Sequence, residues 1–157
     1  MDERHWFRNQ LEAEGDALIW AVGQVPEERR NRQPPEPLGE WSALRHAFHM
    51  SYNERHVVLP RLRLWLDTPT TEDKDFNEES AWQDLVDKDS ALAMFQSTRD
   101  RHIEFLNKIT DPLLDETRET TTGSVPLRWV LTKSIQHTAD HINGILRIAL
   151  FWDRVKS

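Results

Sequence analysis

Apolar residues recur along the chain at intervals of three and four, which is the spacing of one face of an α-helix. Four stretches carry this pattern, and polar or proline-containing segments separate them. The stretches cover approximately residues 4–22, 42–66, 90–109 and 127–152. Four amphipathic helices of this length predict an all-α fold in the form of a four-helix bundle.

Proline and acidic residues mark the connections between these helices. The segment 25–40 contains four prolines and predicts a crossing loop, and Pro60 predicts a kink in the second helix. The segment 68–84 predicts a long exposed connection without a long helix, in which the acidic side chains, Glu78 among them, are solvated and the aromatic ones turn back onto the bundle. After a polar loop, Pro126 predicts the first turn of the fourth helix.

The composition is typical of a single globular domain over residues 1–157. The chain has 157 residues, of which 38% are hydrophobic and 30% are charged, enough for one core. Lys and Arg number 20 against 27 Asp and Glu, and the net charge of -7 gives no basis for binding nucleic acid or an anionic membrane. No signal-peptide pattern or membrane-spanning apolar run is present, so we expect a cytoplasmic protein.

Two residue types exclude whole classes of chemistry. The chain has no cysteine, so any metal ion must be held by His, Asp or Glu. Its five glycines form no GxGxxG, P-loop or GxSxG motif, which removes the usual support for a nucleotide site or a serine hydrolase. Seven histidines are the candidates for a functional site.

Two of these histidines lie on the apolar side of the fourth helix. His141 lies about 50° from the centre of that face, and His137 lies one turn earlier at its edge. Side chains at positions i and i+4 approach closely enough to chelate one ion, but the glutamate of the HExxH peptidase motif is absent. The second helix offers a third ligand from His46, His49 or His56. The alternative is that the pair only makes hydrogen bonds inside the bundle.

The order and spacing of these residues resemble the DinB/YfiT-like superfamily, a group of four-helix-bundle metalloenzymes that includes the DinB_2 family. In that family a Trp-Ser pair opens the second helix, a His follows seven residues after the Ser, and an acidic residue follows five residues later. Here Trp41, Ser42, His49 and Glu54 fit this pattern. The likeness extends over nearly the whole chain.

The second motif of the family is His-x-x-x-His on the last long helix, followed by a Gly-containing stretch. His137, His141 and Gly144 fit it, although Thr138 and Asp140 stand where many members have a further His or Glu. The resemblance therefore implies a metal site formed by His49, His137 and His141. His46 and His56 match nothing in the family motif.

The resemblance implies that the protein binds a divalent metal, zinc or nickel, with coordination positions open to water or a small-molecule substrate. Some members are thiol S-transferases or isomerases that use bacillithiol, mycothiol or glutathione, and others are described as metal-dependent hydrolases. We expect a thiol-dependent S-transferase acting on small electrophiles, with a low-molecular-weight thiol as co-substrate. The alternatives are a metal-dependent hydrolase and, from another class, a non-catalytic metal-binding or dimerising bundle.

Two arginines lie near the middle of the apolar faces predicted for the second and third helices. One interpretation is that Arg55 and Arg99 form a pocket for the acidic groups of a co-substrate, and the other is that their stems extend along the bundle. His102, on the same face of the third helix, is a rival metal ligand. Glu54 lies about 140° from His49 around the helix and is predicted to be structural.

The aromatic content predicts that some rings remain on an outer face. Seven Trp and six Phe offer more ring area than the core of one narrow bundle usually hides. Trp20, Met94 and Phe105 lie off the main apolar stripes and are candidates for a contact between two copies, so we expect a homodimer. The alternative is that the connection 67–88 folds over these residues.

Overall fold

The computed structural model describes residues 2–68 and 76–155. In this part of the chain the four predicted helices form the bundle, which confirms the all-α, four-helix architecture. The second of them is one continuous helical segment that changes its winding three times, from α to π at Glu54, back to α at Leu59 and to 3-10 at Arg63. The helices are α1 (Glu3–Gly23), α2 (Ala43–Asn53), α3 (Leu59–Leu62), α4 (Glu78–Asp84), α5 (Ser90–Leu106) and α6 (Leu127–Phe151).

Short polar side chains begin three of these helices. Asp2 accepts a hydrogen bond from the backbone N–H of His5, Ser42 accepts one from that of Arg45, and Asn77 starts α4 by accepting one from Ser80. Each bond satisfies one of the N–H groups that have no partner within the first helical turn. The N-cap at Ser42 fixes where α2 begins, and with it the direction in which the histidines of α2 point.

The kink predicted at Pro60 takes the form of a π-helical segment. Residues Glu54–Val58 wind more widely than an α-helix, and the N–H of Leu59 donates to the carbonyl of Glu54 five residues earlier. A proline ring collides with the carbonyl four residues before it in a regular α-helix, and wider winding relieves that contact. Within the π segment Glu54 and Val58 are buried, whereas Arg55 is exposed.

A β-hairpin precedes α6, and the sequence analysis did not predict it. Strands β1 (Thr117–Thr120) and β2 (Gly123–Pro126) pair in antiparallel fashion, with Thr117 opposite Pro126. Gly123 has a φ of 105°, a value that glycine adopts without steric strain, and this permits the tight turn. Pro126 is consequently the last residue of β2 and lies just before α6, instead of in its first turn.

The core consists of two apolar clusters at opposite ends of the bundle. One lies between the C-terminal part of α1, α2, the start of α5 and the end of α6, and the other includes Leu11, Trp65 and Leu106. Phe105 belongs to the second cluster and is only 6% exposed, so it is not available for a contact between copies. Trp20 is 57% exposed, whereas Met94 packs against the first cluster.

The connection after α3 partly matches the prediction. It contains the short helix α4, and Trp82 on that helix is half-buried against the first cluster. Phe76 is 42% exposed, but its ring lies 5.5 Å from that of His56. Residues 69–75 of the connection lie outside the described residues. None of the described helices combines the length and the apolar character needed to cross a membrane.

Candidate metal centre

Three histidines from two helices meet on one side of the bundle. His49 lies near the end of α2, and His137 and His141 lie one turn apart on α6. The Nε2 atom of His137 is 3.2 Å from Nε2 of His49 and 3.0 Å from Nε2 of His141. One ring nitrogen from each residue thus lies within 4.8 Å of the other two. The structure brings together the three residues that the sequence singled out.

The spacing of these nitrogens fits a metal ion. At metal–nitrogen distances of about 2.0–2.1 Å, two neighbouring ligands lie roughly 2.8–3.0 Å apart around an octahedral ion and roughly 3.3–3.4 Å apart around a tetrahedral one. The two measured separations, 3.2 and 3.0 Å, lie within the span of these two ranges. Three imidazoles in this arrangement would supply three ligands to one ion and would leave its other coordination positions to water or a substrate.

Burial keeps the group in the form that binds metal. Burial and the neighbouring histidines lower the pKa of His141 to about 3, and burial with nearby His49 lowers the pKa of His137. Both rings are therefore neutral near pH 7, and an imidazole must be neutral to offer a lone pair. Protonated rings would repel one another at this distance, whereas neutral rings can share one bound cation.

A carboxylate from the connection orients His49. The Nδ1–H of His49 donates to the carboxylate of Glu78 at 2.9 Å, which leaves Nε2 free to face the other two histidines. Burial raises the pKa of Glu78, but the hydrogen bond from His49 and the charge of Arg45 outweigh it and hold that pKa below its usual range. Metal-binding histidines commonly have such a partner. The prediction that Glu78 is merely solvated is wrong, because α4 turns it inward.

His46 has the corresponding role for His141. Its Nδ1 lies 2.7 Å from Nδ1 of His141, so when Nε2 of His141 faces the centre, its Nδ1–H donates to His46. Burial, with the charges of His49 and Arg45, lowers the pKa of His46 to about 4, which keeps it a neutral acceptor. The ring fits against α6 only because residue 144 is glycine, since a Cβ there would lie 2.9 Å from Cε1 of His46.

An indole ring covers the histidine group. The ring of Trp41 lies 4.8 Å from that of His49 and 5.8 Å from that of His141, and it is nearly parallel to the latter. The guanidinium of Arg45 lies over the same Trp41 ring, with its Cζ 5.0 Å from the ring centre. The Trp-Ser pair of the sequence motif therefore supplies both a cover for the centre and the N-cap of α2.

The remaining histidines lie apart from this group. The ring of His56 packs on Tyr52 and Phe76 at 4.3 and 5.5 Å. His102 is completely buried, with Nδ1 3.8 Å from a carboxylate oxygen of Glu54. Among residues 2–68 and 76–155, the group with suitably placed ligand atoms contains neither of them.

The two arginines predicted to bind an anion have other surroundings. Arg55 is exposed, and its neighbour Glu54 takes the buried position on this turn of the helix. Arg99 is buried, and its guanidinium donates to Glu54, to the carbonyl oxygen of Leu11 and to the hydroxyl of Thr138. The structure thus gives Arg99 partners within the protein instead of a co-substrate.

The buried ion pair also connects to the metal centre. Glu54 is 1% exposed, and although burial raises its pKa, the charge of Arg99 together with the contacts with His102 and the hydrogen bonds from Arg99 holds that pKa below its usual range. Thr138, which accepts from Arg99 at 2.8 Å, directly follows His137 on α6. The pair therefore ties α5 and the π segment to the turn of α6 that carries two of the three histidines.

Comparisons with known proteins support the fold and identify the family. The family profile of DinB_2, described as the DinB superfamily, matches residues 10–145, so the chain belongs to the DinB superfamily. A solved structure of YfiT from Bacillus subtilis is similar, with a TM-score of 0.71 and 19% sequence identity over 93% of this chain and 85% of that one. It is described as a probable metal-dependent hydrolase with an unusual four-helix bundle topology. A comparison with curated proteins found no match.

Proposed function

We propose that this protein is a metal-dependent enzyme in which His49, His137 and His141 hold one divalent cation. The observation that carries the proposal is the convergence of three Nε2 atoms at separations of 3.0 and 3.2 Å between neighbours. Zinc and nickel are the metals we favour, because imidazole nitrogen suits both.

The reaction class that we favour is hydrolysis of a small substrate. The description of YfiT as a probable metal-dependent hydrolase supports this choice. A divalent cation held by His49, His137 and His141 would keep its full charge, because the three ligands are neutral, and would act as a Lewis acid that activates water as a nucleophile near pH 7.

The side chains around the centre have distinct tasks in this proposal. Glu78 and His46 hold two of the ligand rings in the tautomer that directs Nε2 to the cation. Trp41 covers the rings and excludes water from one side. The Glu54–Arg99 pair fixes α6 in register, so that His137 and His141 face His49.

Thiol transfer is the finer alternative and uses the same centre. A cation with three neutral ligands lowers the pKa of a thiol as well as that of water. A low-molecular-weight thiol would then be the co-substrate, and a small electrophile the acceptor.

A homodimer formed through the exposed ring of Trp20 also remains a proposal, which sedimentation at micromolar concentration tests.

An activity comparison tests the proposal. The protein, purified without a polyhistidine tag and loaded with zinc or nickel, is incubated with a panel of small esters and amides. It is also incubated with monochlorobimane and each of bacillithiol, mycothiol and glutathione. We expect metal-dependent cleavage that His137→Ala abolishes and His5→Ala, an exposed histidine, leaves intact.

Each outcome has a defined meaning. A thiol-specific, metal-dependent rate without cleavage would replace hydrolysis by thiol transfer. No metal-dependent rate with any of these compounds, in protein shown to hold one equivalent of metal, would favour the non-catalytic metal-binding bundle.

A further inference from the structure

A cavity of about 340 Å³ opens beside the metal centre, between the π segment and α6. His137 forms part of its wall, so the cavity and the centre share a side chain. The π segment shapes one side through Val57 and Val58, and α6 supplies Trp129 and Val130 opposite. The walls therefore combine an apolar surface with one of the three proposed metal ligands.

Two cations in this cavity lack an acidic partner. The Nη2 of Arg61 donates to the hydroxyl of Thr121 at 3.1 Å, and the Nζ of Lys133 donates to the side-chain oxygen of Gln136 at 3.1 Å. Across residues 2–68 and 76–155, neither cation forms an ion pair with a carboxylate. Of the other fourteen arginines, seven form ion pairs with acidic side chains in the part of the chain that the structure describes, so what distinguishes Arg61 and Lys133 is their placement together in the wall of one cavity.

The remaining charges give the cavity a positive balance. Asp140 is the acidic residue in its wall. Arg61 and Lys133 outnumber that one carboxylate before any metal ion is counted. A cation held by the three histidines would add two further positive charges at the same end.

We propose that this cavity binds a small organic anion, with its acidic group on Arg61 and Lys133 and its apolar part against Trp129 and the valines. An aromatic or aliphatic carboxylate has this chemistry. Guanidinium and ammonium groups donate charge-assisted hydrogen bonds to a carboxylate, and the indole ring offers a flat apolar surface. If the proposed function holds, the anion is a substrate of the metal centre, and the inference about substrate class rests on that proposed function.

The structure favours this site over the arginines that the sequence analysis selected. Arg55 is exposed outside the cavity, and Arg99 already has a carboxylate partner. Arg61 and Lys133, in contrast, lie in the wall of a cavity that also contains a proposed metal ligand. We therefore expect the acidic group of the substrate to bind Arg61 and Lys133, and not Arg55 and Arg99.

Calorimetric titration with 1-naphthoate, using 1-naphthalenemethanol as the neutral isostere, tests the inference. The wild type is titrated both free of metal and loaded with zinc, beside the double variant Arg61→Gln/Lys133→Gln. The matched control is Arg63→Gln/Lys108→Gln, which removes the same charge from exposed positions outside this cavity. Circular dichroism verifies that both variants fold.

We expect naphthoate to bind more tightly than the alcohol, and to bind about tenfold more weakly to the cavity variant than to the control. Higher ionic strength should weaken the binding. Equal affinity for acid and alcohol, equal loss in both variants or no binding of naphthoate would overturn the inference. Metal content is measured on the same samples: protein that binds naphthoate through Arg61 and Lys133 but holds no zinc would overturn the proposed function and leave this inference standing.

Discussion

Replacing Arg99 by methionine is expected to destabilise the bundle strongly. Methionine keeps an unbranched apolar stem of similar length, so the packing against Gly15, where the Cγ of Arg99 lies close to α1, is largely retained. The guanidinium, however, is lost from a site where the arginine is only 3% exposed. The substitution therefore removes the charge and the hydrogen bonds with little change in volume.

The magnitude follows from the partners left behind. Nε of Arg99 donates to Glu54 at 2.8 Å, and the two terminal nitrogens also donate to the carbonyl of Leu11 and to Thr138 at 2.8 Å. In Arg99→Met the carboxylate of Glu54 stays in the core without its counter-ion. Breaking a buried ion pair from one side costs about 3–5 kcal/mol. The Glu54→Gln/Arg99→Met double variant removes that stranded charge and should recover at least about 1 kcal/mol of this loss.

Urea unfolding followed by circular dichroism measures both effects. Arg101→Met, at an exposed position two residues further along α5, is the matched control and should change the unfolding free energy by less than about 0.5 kcal/mol. If Arg99→Met proves as stable as this control, the ion pair does not stabilise the fold. If the double variant is no more stable than Arg99→Met alone, the loss has a source other than the unpaired carboxylate.

Three further predictions concern the surroundings of the metal centre. Glu78→Gln should weaken zinc binding about 10–100-fold, because it removes the carboxylate that orients His49, whereas Glu79→Gln should not; competition with a chelator measures this. Gly144→Ala should displace His46 and weaken zinc binding about tenfold in the same assay, whereas Gly23→Ala, with open space around its Cβ, should not. The metal-free protein should lose on the order of 5 kcal/mol of stability as the pH falls from 6.5 to about 4, measured by urea unfolding, since His46 and His141 take up protons at a higher pH in the unfolded chain than in the folded one.

The sign of the pH effect depends on the direction of the pKa shifts. The pKa of His46 falls from 6.5 to about 4 and that of His141 to about 3 on folding, so the unfolded state binds more protons in this window. Stability is therefore present above pH 6.5 and lost as the pH falls toward the folded pKa values. Stability that rises on acidification from 6.5 to 4 would contradict the burial assigned to these rings.

The sequence predicted the helices well because their apolar spacing is regular. The stripe of α1 and that of α6 place Leu11 and Ile145 in the core, where the structure has them fully buried. The positions of His137 and His141 followed from the same geometry. His49 followed from the family motif, since spacing alone left His46 and His56 as equal candidates.

The features that the sequence did not predict arise from changes in winding and from contacts distant along the chain. The second helix departs from the α-helical phase where the π segment begins, at Glu54, and Arg55 is exposed although a regular α-helix would place it inside. Glu78 reaches His49 across 29 residues, and no local pattern indicates which acidic residue of the connection turns inward. The hairpin depends on the pairing of two short strands, of which only the Gly123 turn leaves a local signal.

The metal content of four proteins tests the central claim most directly. Elemental analysis of untagged wild type, after dialysis against zinc and gel filtration, should give about one equivalent per chain. His49→Ala and His141→Ala should each lose most of it, and His102→Ala, which removes a buried histidine outside the group, should retain it if folded. Wild-type protein with less than about half an equivalent, or equal zinc in all four folded proteins, would contradict a metal centre at these three histidines.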